Sequence, residues 1–168
     1  LHVGTVVDAR VEADRHAAIE SNHTATHLLN RALRSTLGEH CDQRGSLVAP
    51  DRLRFDYAAR EAASTEQLSD IERAVRADIA AGLVVDAAEL PLEMAQGITG
   101  VRAIFGEQYP DPVRVVCVGA PVAELAATPD NAAWRKLSTE FCGGTHRADT
   151  IDIGDFILMQ EQSVAAGI

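Results

Sequence analysis

His23 and His27 stand four residues apart in Ser21-Asn22-His23-Thr24-Ala25-Thr26-His27-Leu28-Leu29, at the start of an apolar, helix-like run. Residues i and i+4 of an α-helix share a face, one turn apart, so two imidazoles placed this way can grip one metal ion. Two ligands do not close a site. A second pair with the same spacing lies far along the chain, in Phe141-Cys142-Gly143-Gly144-Thr145-His146. Gly143 and Gly144 argue against a regular helix there; they let the backbone turn tightly and bring Cys142 and His146 to one point. Three histidines and one cysteine are a reasonable tetrahedral set for Zn²⁺. The two glycines also leave N–H groups uncovered, for a substrate oxygen to use.

Other chemistries for these residues fail on particular positions. A zinc protease with two histidines on one helical turn needs Glu directly after the first, as general base. Thr24 occupies that place. The sequence has no Gly-rich phosphate loop and no Gly-x-Ser-x-Gly elbow. No titratable base stands out near the ligand motifs, which suits hydrolysis of an activated ester better than of an amide. His2 and His16 read as surface residues, and His40 as a partner of the last helix carbonyls. Cys41 and Cys117 read as small buried apolar residues.

The elements that must position the four ligands follow from periodicity. His2–Val11 is Val-rich and alternates loosely, which predicts a strand or hairpin. Asp14–Glu20 predicts a turn or short helix. Ser21 or Asn22 is a good N-cap for a helix to Leu37, with Gly38 just past its end and Leu29, Ala32, Leu33, Thr36 and Leu37 as its buried stripe. Ser46–Val48 and Leu53–Tyr57 flank a Pro-Asp turn and predict a hairpin. Ser64-Thr65-Glu66-Gln67 matches a capping box, and Leu68, Ile71, Val75, Ile79 and Leu83 keep helical spacing. Val84–Leu92 predicts a strand leading into a short helix from Pro91 to Gln96, and Gly97–Gly106 a loop. Val113–Val118 is a β-branched run typical of a buried strand. Ala120–Trp134 predicts a surface insertion with a helical turn, Leu137–Phe141 leads into the Cys-Gly-Gly loop, and Phe156–Met159 predicts a last strand. The pattern is α+β: two layers, an antiparallel or mixed sheet with helices packed on one face. The expected division is residues 1–20, the end of a preceding β-rich segment, and 21–168, a zinc-containing domain.

At 168 residues and 18.0 kDa the chain can hold one compact core, built mostly from Ala, Val, Leu and Ile because aromatics are only 4%. It lacks an initiator Met, a signal peptide and an apolar run of membrane-spanning length, so it reads as an excerpt of a longer polypeptide without a membrane partner. Three cysteines without framework spacing indicate a reducing compartment. A net charge of −10 argues against generic nucleic-acid binding. Residues 31–60, however, carry six Arg against four acids, a local excess of +2, whereas residues 61–130 carry four Arg against twelve acids. A basic surface beside the histidine pair is therefore compatible with an acidic body.

Three segments in order resemble one family. Asn22-His23-Thr24-Ala25-Thr26-His27-Leu28-Leu29-Asn30, then Gln43-Arg44-Gly45-Ser46-Leu47-Val48-Ala49-Pro50-Asp51-Arg52-Leu53-Arg54-Phe55-Asp56-Tyr57, then Cys142-Gly143-Gly144-Thr145-His146, are similar to the editing domain of alanyl-tRNA synthetases. The related threonyl editing domains share the two ligand pairs but not typically the long middle segment. The resemblance implies a Zn²⁺-containing fold that hydrolyses the ester of tRNA(Ala) mischarged with serine or glycine. It implies His23, His27, Cys142 and His146 as ligands, and Gln43 and Thr24 at positions that act on the substrate. Arg44, Arg52, Arg54, Gly143 and Gly144 would bind it. Arg147 departs from the small or apolar residue common there, and Glu124–Trp134 is longer than in the shortest members. The implied partners are the acceptor end of tRNA(Ala) and the rest of a cytoplasmic synthetase, which would itself use ATP and Mg²⁺.

The residue chemistry agrees with that implication. A synthetic site built for alanine cannot strongly reject serine, so a second, hydrolytic site is needed, one that offers hydrogen bonds only serine can make. Zn²⁺ would organise the pocket with an exchangeable fourth position; a closed, structural zinc is the alternative. A zinc-stabilised binder of the acceptor end without hydrolytic activity, and a purely structural metal domain, are the competing classes.

Overall fold

The computed structural model describes residues 2–104 and 107–163. Its spine is α1, Ala13–Leu37. A hairpin follows, β1 (Gln43–Val48) and β2 (Leu53–Tyr57), then α2 (Thr65–Ala80). The second half runs β3 (Val85–Leu90), α3 (Leu92–Gln96), β4 (Val113–Val118), α4 (Val122–Ala127), a 3₁₀ turn at Ala132–Lys136, β5 (Ser138–Phe141) and a 3₁₀ turn at Thr150–Ile153. The class is α+β, with two small antiparallel sheets: β1–β2, and β3–β4–β5.

The start of α1 differs from expectation. Residues 2–12 form no strand, and the helix begins at Ala13, so a division at 20/21 would cut through it. The polar residues that suggested an N-cap are used elsewhere. The Asn22 amide donates to Ala49 O (2.7 Å) and Pro50 O (3.3 Å) at the hairpin turn, and the Ser21 hydroxyl to Asp152 O. Ala17, Ala18, Ile19 and Glu20, all compatible with helix, carry α1 through that point. Its far end is as expected: Gly38, at φ 113°, turns the chain and donates its N–H to Arg34 O.

Two cores flank the three-stranded sheet. Ala25, Leu28, Leu29, Ala32 and Leu33 of α1 interlock with Ile71, Val75 and Ile79 of α2, with Leu53, Phe55 and Tyr57 covering them. Helix α2 starts on the predicted capping box, Ser64 and Gln67 bonding each other's backbone N–H. In β4 the alternate residues Val113, Val115 and Cys117 face α3 and α4, whereas Val118 reaches the α1–α2 core. Val122 and Leu125 of α4 are fully buried, so the predicted surface insertion is part of this second core.

Phe156–Met159 is not a strand. Its alternation is real, Phe156 and Leu158 packing inward and Ile157 and Met159 exposed, but its partner is a side chain: Leu158 N–H donates to the Glu72 carboxylate of α2 at 2.8 Å. The described part of the predicted loop 97–106 is turn and coil with a single bridge, Arg102 to Glu140; residues 105 and 106 lie outside the described residues. No helix among the described residues is long and apolar enough to cross a membrane.

Candidate metal centre

Helix α1 and strand β5 bring the two ligand pairs together. The Ser138 hydroxyl donates to His27 O (3.1 Å), and the Asn30 amide donates to the Glu140 carboxylate (2.9 Å), fixing β5 against the helix. The chain then leaves β5 at Cys142. The candidate ligand atoms of His23, His27, Cys142 and His146 all lie within 4.8 Å of one another, in a cluster that could hold a metal ion. The His23 and His146 rings stack with centroids 4.1 Å apart, and His27 meets His146 edge-on at 4.6 Å.

The partners of His23 and His146 leave the same nitrogen free. His23 Nδ1 is 3.0 Å from Thr145 O, a carbonyl that can only accept, so Nδ1 carries the proton; Nε2 faces the Cys142 sulfur at 3.4 Å. His146 Nδ1 is 3.4 Å from Thr24 Oγ1. That hydroxyl already donates to Glu20 O (2.9 Å), so it accepts from Nδ1 and leaves Nε2, which is buried without a partner. His27 Nδ1 faces the Glu140 carboxylate at 3.8 Å. An acceptor behind a metal-ligating imidazole is the usual device that fixes tautomer and orientation; His23 has a carbonyl there and His146 a hydroxyl.

Electrostatics match a set of neutral donors. Burial, with His23 and Arg114 nearby, pushes His27 down to about 3. Burial, with the other two imidazoles, pushes His146 down to about 2. Both therefore keep a free lone pair at neutral pH. Burial raises the Cys142 thiol, opposed by a hydrogen bond from Gly144 N–H and by the Arg114 charge. Metal binding would thus displace a proton from sulfur.

Gly143 and Gly144 serve different needs. A Cβ at Gly144 would clash with the edge of the His23 ring, 2.8 Å from Nδ1, whereas one at Gly143 would meet nothing within 4 Å. Arg114 holds the loop from β4, donating from Nη1 to both Cys142 O and Gly144 O at 2.7 Å.

A cavity of about 440 Å³ opens beside the cluster and runs along α1. His23, Thr26, His27, Asn30 and Arg34, spaced as one helix face, form one wall, and Gln43 and Ser46 another. A bulge in β1 between Gln43 and Gly45 puts Gln43 opposite Tyr57 and Ser46 opposite Phe55, and both line the cavity, with Arg44 as the extra residue.

The remaining expected site residues lie elsewhere. Thr24 is fully buried behind the cluster, its hydroxyl committed to Glu20, His146 and the Arg147 N–H, so it braces the His146 loop instead of facing the cavity; Thr26 takes the place on the wall. Arg44, Arg52 and Arg54 are exposed on the hairpin, outside the cavity lining, and Arg52 and Arg54 pair with Asp51 and Asp56. Thr26, Asn30, Ser46, Arg102, Arg114 and Glu140 were not singled out from sequence, and Arg34 was expected only as a phosphate contact on the surface. A signal existed for two of them: Arg114 is the one charge in a β-branched run, and Glu140 sits two residues before Cys142. Burial drives Glu140 up to about 7, against hydrogen bonds from Asn30 and Ser138 and the charge of Arg34. The reading that no titratable base stands out near the ligand motifs is therefore corrected by the fold.

With this geometry in hand, comparison with known proteins is informative. Residues 113–168 match the model of the family described as "Threonyl and Alanyl tRNA synthetase second additional domain". That match covers the last third of the chain. Together with full-length similarity to alanine–tRNA ligases, it supports an editing-domain region of those enzymes. The chain is 50% identical over its full length to the mitochondrial alanine–tRNA ligase of Saccharomyces cerevisiae, covering 17% of that protein. It is 44% identical over its full length to the cytoplasmic enzyme of Bombyx mori, again 17% of it. Over 96% of its length it is 48% identical to the enzyme of Roseiflexus castenholzii, covering 18%. The chain therefore spans about a sixth of the length of these relatives.

Proposed function

We propose that this chain is the hydrolytic editing domain of a cytoplasmic alanine–tRNA ligase, holding Zn²⁺ on His23, His27, Cys142 and His146 and releasing serine or glycine wrongly esterified to tRNA(Ala). The observation that carries the reading is the cluster itself. Three neutral imidazoles, each with Nδ1 facing an acceptor, and one thiol converge at the mouth of a nucleoside-sized cavity. That donor set fits zinc. When bound, the ion would supply a Lewis acid at the reacting ester.

The protein's own residues supply the rest. Thr26, Gln43 and Ser46 present hydroxyl and amide groups from two walls, where a serine hydroxyl finds partners that an alanine methyl does not. Glu140 faces His27 from behind and keeps its ring oriented. Gly143 N–H remains the candidate donor to the developing oxyanion, because Gly144 N–H is turned to the Cys142 sulfur. Arg44, Arg52 and Arg54 stand on the exposed hairpin, suited to phosphates of the acceptor stem.

Deacylation tests this directly. The zinc-loaded chain should release serine from Ser-tRNA(Ala) well above the buffer rate and leave Ala-tRNA(Ala) intact. Cys142→Ala, with its fold verified by circular dichroism, should release none beyond buffer. A wild-type chain that binds the acceptor stem yet releases no serine would be an acceptor-end binder instead.

A further inference from the structure

Arg114 is committed to the ligand loop, not to a carboxylate. It stands in β4 opposite Glu89 of β3, yet it belongs to no ion pair among the described residues. Nη1 instead donates to Cys142 O and to Gly144 O, both at 2.7 Å, one carbonyl for each of its two protons. The backbone of the same residue completes the grip: Arg114 O accepts from Cys142 N–H at 3.1 Å. Donor distances of 2.7 Å are those of a charge-assisted bond.

A staple does not need a charge. Burial lowers the three imidazoles and raises the thiol, and the Arg114 charge opposes protonation of all four. The same charge repels a bound metal cation, so a neutral donor would hold the loop with less conflict. A cation gains where negative charge collects, and hydrolysis of an ester builds that charge on the carbonyl oxygen as water adds.

The loop backbone connects the two. A trans peptide is planar, with its C=O and N–H pointing in opposite directions. Cys142 O shares its peptide with Gly143 N–H, and Gly144 O shares its peptide with Thr145 N–H. Both N–H groups therefore point away from the guanidinium, and neither meets an acceptor among the described residues. Hydrogen bonds in series polarise one another, so a cation on the carbonyl makes the N–H of that peptide a stronger donor. The peptide between them is different: Gly143 O accepts nothing from Arg114, and Gly144 N–H serves the Cys142 sulfur.

We infer that Arg114 is a positioning residue for the reaction, its charge relayed through the Cys142–Gly143 peptide to the Gly143 N–H that receives the developing oxyanion. The inference deepens the hydrolase reading and rests on it for the oxyanion. The zinc-loaded chain tests it in three ways. In Arg114→Gln the amide nitrogens of Gly143 and Thr145 should shift upfield, as their carbonyls lose the cation, while that of Gly144 stays. The kcat for serine release should fall about tenfold, less than removal of a whole oxyanion donor, with zinc content unchanged and KM within about threefold. Arg114→Lys, which keeps the charge, should recover most of that loss. A phosphonate analogue of 3′-seryl-adenosine, tetrahedral and anionic, should bind Arg114→Gln about tenfold more weakly than wild type, while the planar amide analogue binds both alike. The wild-type chain supplies an arm that needs no variant: phosphonate should move the Gly143 amide proton downfield, and the amide analogue should not. An unmoved Gly143 proton, an Arg114→Gln chain with wild-type kcat and phosphonate affinity, or an Arg114→Lys chain as slow as Arg114→Gln would overturn the relay. A chain that releases serine equally well without the Arg114 charge keeps the hydrolase and loses the relay; one that shows the Arg114-dependent phosphonate preference but releases no serine keeps the relay and loses the hydrolase.

Discussion

Helix α1 buries two faces, and they are built on opposite principles. One carries Ala25, Leu28, Leu29, Ala32 and Leu33 into the core with α2. The other carries His23, Thr26, His27, Asn30 and Arg34 along the cavity. The first face needs nothing further: apolar surface has met apolar surface. The second retains buried atoms without partners on His27, Asn30 and Arg34. Folding energy comes from one side of the helix and binding capacity is stored on the other.

Substitution should separate the two faces. Leu28, 1% exposed, anchors the apolar side. Leu28→Ala should cost about 3 kcal/mol, lowering the thermal midpoint by roughly 6–12 °C in a chain of this size without changing zinc stoichiometry. Thermal denaturation with metal analysis reads both; a loss of zinc with an unmoved midpoint would reverse the division. Cys142→Ala should do the opposite. Zinc affinity should fall on the order of 100-fold, while the metal-free midpoint stays within about 2 °C. Competition against a chromogenic chelator measures the affinity.

The Gly-Gly turn sharpens the contrast further. Gly144→Ala would push a methyl into the His23 ring, so zinc affinity should drop about tenfold or more, whereas Gly143→Ala meets no neighbour and should stay within about threefold. Equal losses from both would mean that backbone flexibility, not space, is what Gly144 supplies.

The smallest effect is with pH. His27 and His146, at about 3 and about 2 in the fold, lie below their ordinary 6.5. The unfolded metal-free chain therefore takes up protons that the folded chain refuses. Their contribution to stability is full above 6.5 and is lost as pH falls toward about 3. Glu140, raised from 4.5 to about 7, acts in the opposite sense between those values and offsets one imidazole. With His23 also lowered by burial, the net expectation is a loss of stability as pH falls from 6.5 to 4.5 in the metal-free protein. Thermal midpoints across that interval check it, and a flat or rising profile on acidification would contradict neutral buried histidines.

The apolar face and its partners were legible because periodicity encodes them. The capping box at Ser64, the hairpin and the β4 run all read directly from spacing. The convergence of His23, His27, Cys142 and His146 was legible because two short motifs each carry two of them. What escaped depended on tertiary distance. Asn22 resembled an N-cap, but its amide binds a hairpin turn 27 residues away, so the true helix start at Ala13 was hidden. Thr24 was placed by its proximity to His23 in sequence, yet its hydroxyl points behind the cluster. Arg34 and Glu140 looked like ordinary charges on a helix and a strand; only the packing of β5 on α1 buries them. Phe156–Met159 has strand periodicity but meets the Glu72 carboxylate where a strand would meet a ladder.

The central claim is that one thiolate and three imidazoles converge on a single zinc ion. X-ray absorption at the zinc edge of the loaded chain tests it most directly. One sulfur at about 2.3 Å with nitrogen scatterers at about 2.0–2.1 Å is the predicted shell. Cys41 and Cys117, fully buried and outside the cluster, leave Cys142 as its one sulfur donor. A shell with no sulfur, or with two, would contradict the account.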